Sequence, residues 1–193
     1  MADRVLLGLC GAPGVGKSTV AARLVAALGP GAVLVPMDGF HLHDDALAAL
    51  GRADRKGAPD TFDVAGYVAL LRRLRGAEET VYAPAFDRDR ELVVTEAIEV
   101  RAEHRVVVTE GNYLLLDEPG WRDVRGLLDL CWFLTGDDAV RRERLIARHV
   151  RHGRTLAEAT AWVDRSDEAN ARLVAPSAAR ADLVVDADAL LVG

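Results

Sequence analysis

Eight residues constrain this chain more than any others: 11–18, GAPGVGKS, which fit G-x-x-x-x-G-K-[ST] between a run of apolar residues and a helix-forming run. Gly11, Gly14 and Gly16 let the backbone bend so that successive N–H groups converge on phosphate oxygens, and the positive end of the following helix adds to the attraction. Ala12, Pro13 and Val15 complete the loop. Lys17 is expected to bridge the β- and γ-phosphates, Ser18 to ligate Mg²⁺ and Thr19 to reach the α-phosphate. Such a loop binds a nucleoside triphosphate. Guanine readers of the [NT]-K-x-D type and an LSGGQ-like signature are absent from the sequence, and the D-x-x-G match at 117–120 is short and unsupported by its surroundings.

Around this loop the 193 residues are 50% hydrophobic and 28% charged, which suits one globular domain over 1–193 and excludes a disordered or coiled-coil chain. A net charge of −6 disfavours nonspecific adhesion to nucleic acid or an anionic membrane. No apolar stretch approaches the roughly 18 residues of a membrane span. The expectation is a soluble cytoplasmic protein with no nucleic-acid or membrane partner, for which a homodimer is admissible. Cys10 and Cys131 lie in strand-like runs without metal-ligand spacing and read as buried free thiols. Of the 24 basic residues only Lys17 and Lys56 are lysines, so Lys56 stands out as the one lysine beyond the loop.

Strand-like runs at 4–10, 33–37, 105–109, 129–134 and 182–186 alternate with helical periods at 17–28, 64–75, 137–151 and 155–174. The strands are too uniformly apolar to face water, so the pattern predicts an α/β fold: three layers, αβα, around a mostly parallel five-stranded sheet. Segments 79–83 and 91–100 read as an antiparallel pair beside it. Asp63 stands where an N-cap would, and Thr155 with Glu158 forms a T-x-x-E capping box.

Two strands deliver acids to their C-terminal ends, where open α/β sheets bind ligands. The first ends in Asp38-Gly39-Phe40-His41. Asp38 could accept the proton of an attacking hydroxyl, or cap a helix over 42–50. The other ends in Glu110-Gly111-Asn112-Tyr113, where Glu110 suits Mg²⁺ or its water shell, the alternative being a loop glutamate bonded to backbone amides. His41 and His43 lack further converging ligands and read as hydrogen-bonded or solvated.

Between 141 and 154 lie Arg141, Arg142, Arg144, Arg148, Arg151 and Arg154 against the single acid Glu143. Arg144, Arg148 and Arg151 share one helix face at i, i+4, i+7, and their charges repel unless an anion lies opposite. The phosphates of ATP suit, because guanidinium groups bind phosphate bidentately; a solvated helix face is the alternative.

The elements GAPGVGKST, VPMDGFH, RKGAPDTFD, YAPAFDRDR, VVVTEGNYLLLD and RLIARHVRHGRT occur in this order over about nine-tenths of the chain. In this the sequence resembles the P-loop NTPase family of uridine kinase, phosphoribulokinase and type I pantothenate kinase, nearest the bacterial nucleoside/nucleotide kinase-like branch that includes fructose-transport-system kinases. The resemblance implies a kinase that moves the γ-phosphate of ATP, with Mg²⁺, to a hydroxyl of a sugar, nucleoside or pantothenate-like alcohol. It implies Asp38 as general base, Lys17 and Arg148 at the transferring phosphate, Arg144 and Arg148 on ATP from a helical lid over about 141–154, and Ser18 and Glu110 at the metal. It gathers Asp38, Lys56, Phe86, Asp87, Arg88 and Asn170 around the acceptor. The sequence departs from the uridine kinases where their F-D-H-P segment becomes Lys56-Gly57-Ala58-Pro59, and where the histidine after their P-x-Y-D element is missing and Arg88 and Arg90 follow Asp87. A nucleotide monophosphate kinase and a regulatory P-loop protein with little turnover are the competing readings.

Overall fold

In the computed structural model, which describes residues 4–76 and 79–191, the chain runs β1 (Val5–Gly11), α1 (Lys17–Leu28), β2 (Ala32–Leu34), α2 (Asp44–Ala49), α3 (Val64–Gly76), β3 (Val81–Asp87), β4 (Leu92–Val100), β5 (Val106–Gly111), α4 (Arg122–Arg125), β6 (Leu130–Thr135), α5 (Asp138–Arg151), α6 (Leu156–Trp162), α7 (Glu168–Val174), β7 (Leu183–Asp186) and α8 (Ala187–Leu191). Five strands form one sheet in the order β2-β5-β1-β6-β7, and every pairing is parallel. β1 lies in the middle, registered Val5 to Val106 on one side and Leu7 to Leu130 on the other. The phosphate loop therefore leaves the centre of the sheet. β3 and β4 pair antiparallel as a separate two-stranded sheet whose register shifts between Ala83 and Ala85, at Pro84.

The period of two along the strands sorts the core onto two faces. Leu6, Cys10, Val107, Cys131 and Phe133 join Tyr67, Leu71 and Leu74 of α3 in one cluster. Leu7, Leu9, Val108 and Leu134 pack on the other face against Val20 and Ala21 of α1 and Ala187 of α8. Both cysteines are free and buried, and burial pushes both thiols up from their ordinary value. The side chain of Asp63 accepts from Gly66 N at 2.9 Å at the start of α3, and the Thr155/Glu158 capping box opens α6. Among the described residues no helix is long and apolar enough to cross a membrane.

Two elements differ from the sequence expectation, both at the cleft. The strand expected over 33–37 ends at Leu34: Val35 N still donates to Val108 O at 2.8 Å, but Pro36 has no N–H to continue the ladder, and Met37–Phe40 turn into a 3-10 helix. The helix expected over 155–174 is interrupted by a π-helical turn, Val163–Asp167, between α6 and α7.

Candidate active site

Gly16 precedes α1 at φ 102°, and Gly14, at φ 79°, lies so close to α5 that a Cβ there would meet Leu145 Cγ at 2.7 Å and Arg141 O at 2.9 Å. Glycine is required at Gly14 on both counts. Val15 is only 2% exposed and packs into the core, fastening the loop to the sheet. Lys17 Nζ donates to the loop's own Gly11 and Ala12 carbonyls at 3.0 and 2.9 Å. Burial pushes this ammonium below the usual lysine value, while Glu110 pulls it back up. Ser18 Oγ donates to Glu110 Oε1 at 2.7 Å. Burial and the neighbouring Asp38 raise the Glu110 carboxyl, opposed by Lys17 and the Ser18 hydrogen bond. Thr19 is exposed on the same turn and lines the cleft.

Asp38 sits in the 3-10 turn after β2, its side chain about one-quarter exposed and ion-paired with Arg88 from the β3–β4 connection. It caps no helix: the N-cap of α2 is His43, whose Nδ1 accepts from Asp45 N. His41 Nδ1 lies 2.8 Å from the Asp38 carbonyl, and the ring stacks against Phe62 and Phe86 at centroid distances of 4.2 and 4.6 Å. Lys56 reaches this corner, held between Asp44 at 2.8 Å and Glu91 at 3.3 Å above the Phe86 ring. The Asn170 amide donates to Gly57 O at 3.3 Å, as the Tyr113 hydroxyl does at 2.5 Å. Asp87 does not join them. Its Oδ1 accepts from Asp89 N and Arg90 N at 3.0 Å each, so it closes the hairpin turn, and it is not among the residues that line the cleft. An aspartate at the head of a turn satisfies local N–H groups first, and the other oxygen of Asp87 lies 3.8 Å from Arg90.

The arginines of α5 and of the turn after it divide into distinct roles. Arg141 is 3% exposed and donates to Pro13 O at 3.2 Å, Glu168 at 2.6 Å and Asp138 at 3.1 Å, so it ties the helix to the phosphate loop. Arg142 pairs with Asp164 and Arg144 with Asp188, the latter at 2.8 Å. Arg154 lies over the Trp162 ring at 4.0 Å. Arg148 and Arg151 face the cleft without a carboxylate partner among the described residues. Burial, with Arg88 nearby, pushes the Arg148 guanidinium below its ordinary value. The sequence pattern placed Arg144 and Arg148 alike, but only Arg148 lacks an acid.

Lys17, Ser18, Thr19, Asp38, Arg88, Glu110, Arg148 and Asn170 border one cleft of about 1030 Å³, with the phosphate loop at one end and Asp38, Lys56 and Phe86 at the other. It is large enough for a nucleotide and a second small molecule. The family model for the phosphoribulokinase/uridine kinase family matches residues 6–189. The chain belongs to that family. As a member it is an ATP-dependent phosphotransferase with an alcohol group as acceptor. It is 36% identical over 195 residues to a Schizosaccharomyces pombe protein provisionally named uridine kinase C227.14, covering 95% of this chain and 83% of that one. It is 35% identical to YggC of Escherichia coli K12, covering 95% and 78%. The crystal structure of a Silicibacter sp. TM1040 protein, provisionally named a fructose transport system kinase, superposes with a TM-score of 0.88 at 42% identity over 96% of this chain and 91% of that chain.

Sequence reasoning missed a pair within this family site. His149 Nε2 lies 2.9 Å from Asp167 Oδ2, both side chains largely buried in the cleft wall. Asp167 closes the π-helical turn, and a regular helix through 155–174 would aim it elsewhere, so no periodicity in the sequence signals it.

Proposed function

We propose that the protein transfers the γ-phosphoryl group of ATP, bound as its magnesium complex at residues 11–19, to a hydroxyl held against Asp38. The observation that carries this reading is the cleft that brings Lys17, Glu110 and Asp38 together beneath the unpaired Arg148. Asp38 accepts the hydroxyl proton as the acceptor oxygen forms its bond to the γ-phosphorus. The bond to the β,γ-bridging oxygen breaks, and ADP leaves with that electron pair. Lys17 and Arg148 supply positive charge to the transferring group, and the His41 ring, packed on Phe62 and Phe86, forms one wall of the cleft beside Asp38.

The donors at Ser18 and Glu110 suit magnesium. Both are oxygens, 2.7 Å apart beside the phosphate loop, and Mg²⁺ is commonly held by one or two protein oxygens together with phosphate oxygens and water. When bound, the ion neutralises charge on the β- and γ-phosphate oxygens.

Asp38→Asn tests the reading because it keeps the shape of the side chain and removes the base. Phosphoryl transfer should fall by roughly 10²–10⁴ while the KM for ATP stays within about threefold. Retained turnover, or an equal loss of ATP affinity, would refute Asp38 as the base.

A further inference from the structure

The acceptor end of the cleft is built mostly from side chains whose polar atoms are already engaged. Lys56 is spent on Asp44 and Glu91. The Tyr113 hydroxyl and the Asn170 amide both donate to Gly57 O. His41 Nδ1 faces the Asp38 carbonyl, and burial holds the imidazole below its ordinary value, hence neutral near pH 7. Arg88 differs. One terminal nitrogen contacts Asp38 Oδ2, and its other N–H groups have no partner among the described residues. The side chain is 45% exposed and borders the cleft.

A guanidinium presents five N–H donors in a planar fork, so a single contact to Asp38 leaves an open edge of the shape that grips a carboxylate or phosphate bidentately. A neutral alcohol offers that edge only single uncharged acceptors, which hold it more weakly than an oxyanion does. Among the described residues the second Asp38 oxygen takes no side-chain or backbone donor, so a hydroxyl received there lies next to Arg88. Arg88 and Arg148 also oppose each other electrostatically across the cleft, and an anion between them offsets the repulsion.

We propose that Arg88 sets the acceptor class: it steadies Asp38 with one nitrogen and binds an oxyanion of the acceptor with its open edge, so the substrate is a small alcohol carrying a carboxylate or phosphate. The inference rests on Asp38 being the general base. Charge-assisted bonds of about 2.8 Å on either side of one guanidinium keep the anion within roughly 6 Å of the Asp38 carboxylate, only a few bonds from the reacting hydroxyl. The transfer is the one already described, with the proton going to Asp38 and ADP leaving with the electron pair.

Release of ADP by the full chain with ATP and magnesium, measured on matched acceptors, tests this. Glycerate is compared with glycerol, ketose 1-phosphates and pentose 5-phosphates with the free sugars, and neutral nucleosides form a third arm. The expected result is kcat/KM at least about 50-fold higher for the anionic member of one pair than for its neutral counterpart, and the pair that responds identifies carboxylate or phosphate. On that acceptor Arg88→Ala should raise the acceptor KM about 30-fold or more, Arg88→Lys should recover part of the loss, and the KM for ATP should stay within about threefold. Turnover of a neutral acceptor without its anionic counterpart, inactivity of every anionic member, or an equal rise in the KM for ATP overturns the assignment. Asp38→Asn on the same acceptor separates the two ideas, since turnover that survives it removes the base and leaves the response to Arg88→Ala standing.

Discussion

Replacing Arg141 by methionine keeps the length of the stem but removes the buried guanidinium that joins α5 to the phosphate loop. The wild-type side chain is 4% exposed and its partner Glu168 is 24% exposed. Breaking a fully buried pair costs about 3–5 kcal/mol, and the partial exposure of Glu168 lets water recover some of this, so about 3 kcal/mol is expected. For a domain of this size that corresponds to a fall in Tm of roughly 6–12 °C. Much of the penalty comes from the stranded Glu168 carboxylate, so the double variant Arg141→Met, Glu168→Gln should recover part of it. Urea unfolding of wild type, both single variants and the double variant gives the coupling energy directly. The loss of the 3.2 Å bond to Pro13 O should also loosen the loop and raise the KM for ATP several-fold. An Arg141→Met protein within about 1 kcal/mol of wild type, with no coupling to Glu168, would refute the argument that this arginine is a structural tie.

Lys17→Ala should leave the fold intact and lower turnover by at least ~10²-fold, because the point charge on the transferring phosphate is lost; circular dichroism beside steady-state kinetics checks it, and near-normal turnover contradicts the role given to the loop. Tyr67→Phe removes a hydroxyl that lies 2.6 Å from Thr109 Oγ1 in the sealed core, without opening a cavity, and should cost about 1 kcal/mol in urea unfolding with kcat unchanged.

Features encoded over short spans of chain were legible. The phosphate loop, four of the five apolar strands and the Thr155 capping box each draw their geometry from neighbouring residues, and they appear where the local pattern predicts. The site's remaining geometry depends on residues far apart in the chain. Arg88 reaches Asp38 from 50 residues away, across a hairpin whose orientation no local periodicity encodes. Arg141 read as one more basic residue in an arginine-rich window, yet burial against Pro13, 128 residues away, makes it structural. The π-helical turn is invisible to a 3.6-residue period by construction, and it is what turns Asp167 towards His149. Asp87 matched a family element, and the turn that follows also uses its carboxylate, a local demand that the family pattern does not signal.

The manner in which α5 is fastened gives it the mechanics of a propped cantilever. Its root is clamped by the Asp137 cap, by Arg141 and by Leu145 lodged beneath Gly14, while the far end carries Arg148 and Arg151 and rests on the π-helical turn through His149 and Asp167. Six residues separate Leu145 from Arg151, about 9 Å at 1.5 Å per residue, so a 10° bend beyond the clamp displaces the tip by about 1.6 Å and the phosphate loop not at all. Charge delivered by Lys17 is therefore constant in position, whereas charge delivered by Arg148 and Arg151 varies with the curvature of one helix, and stiffness along α5 becomes a quantity on which the rate depends.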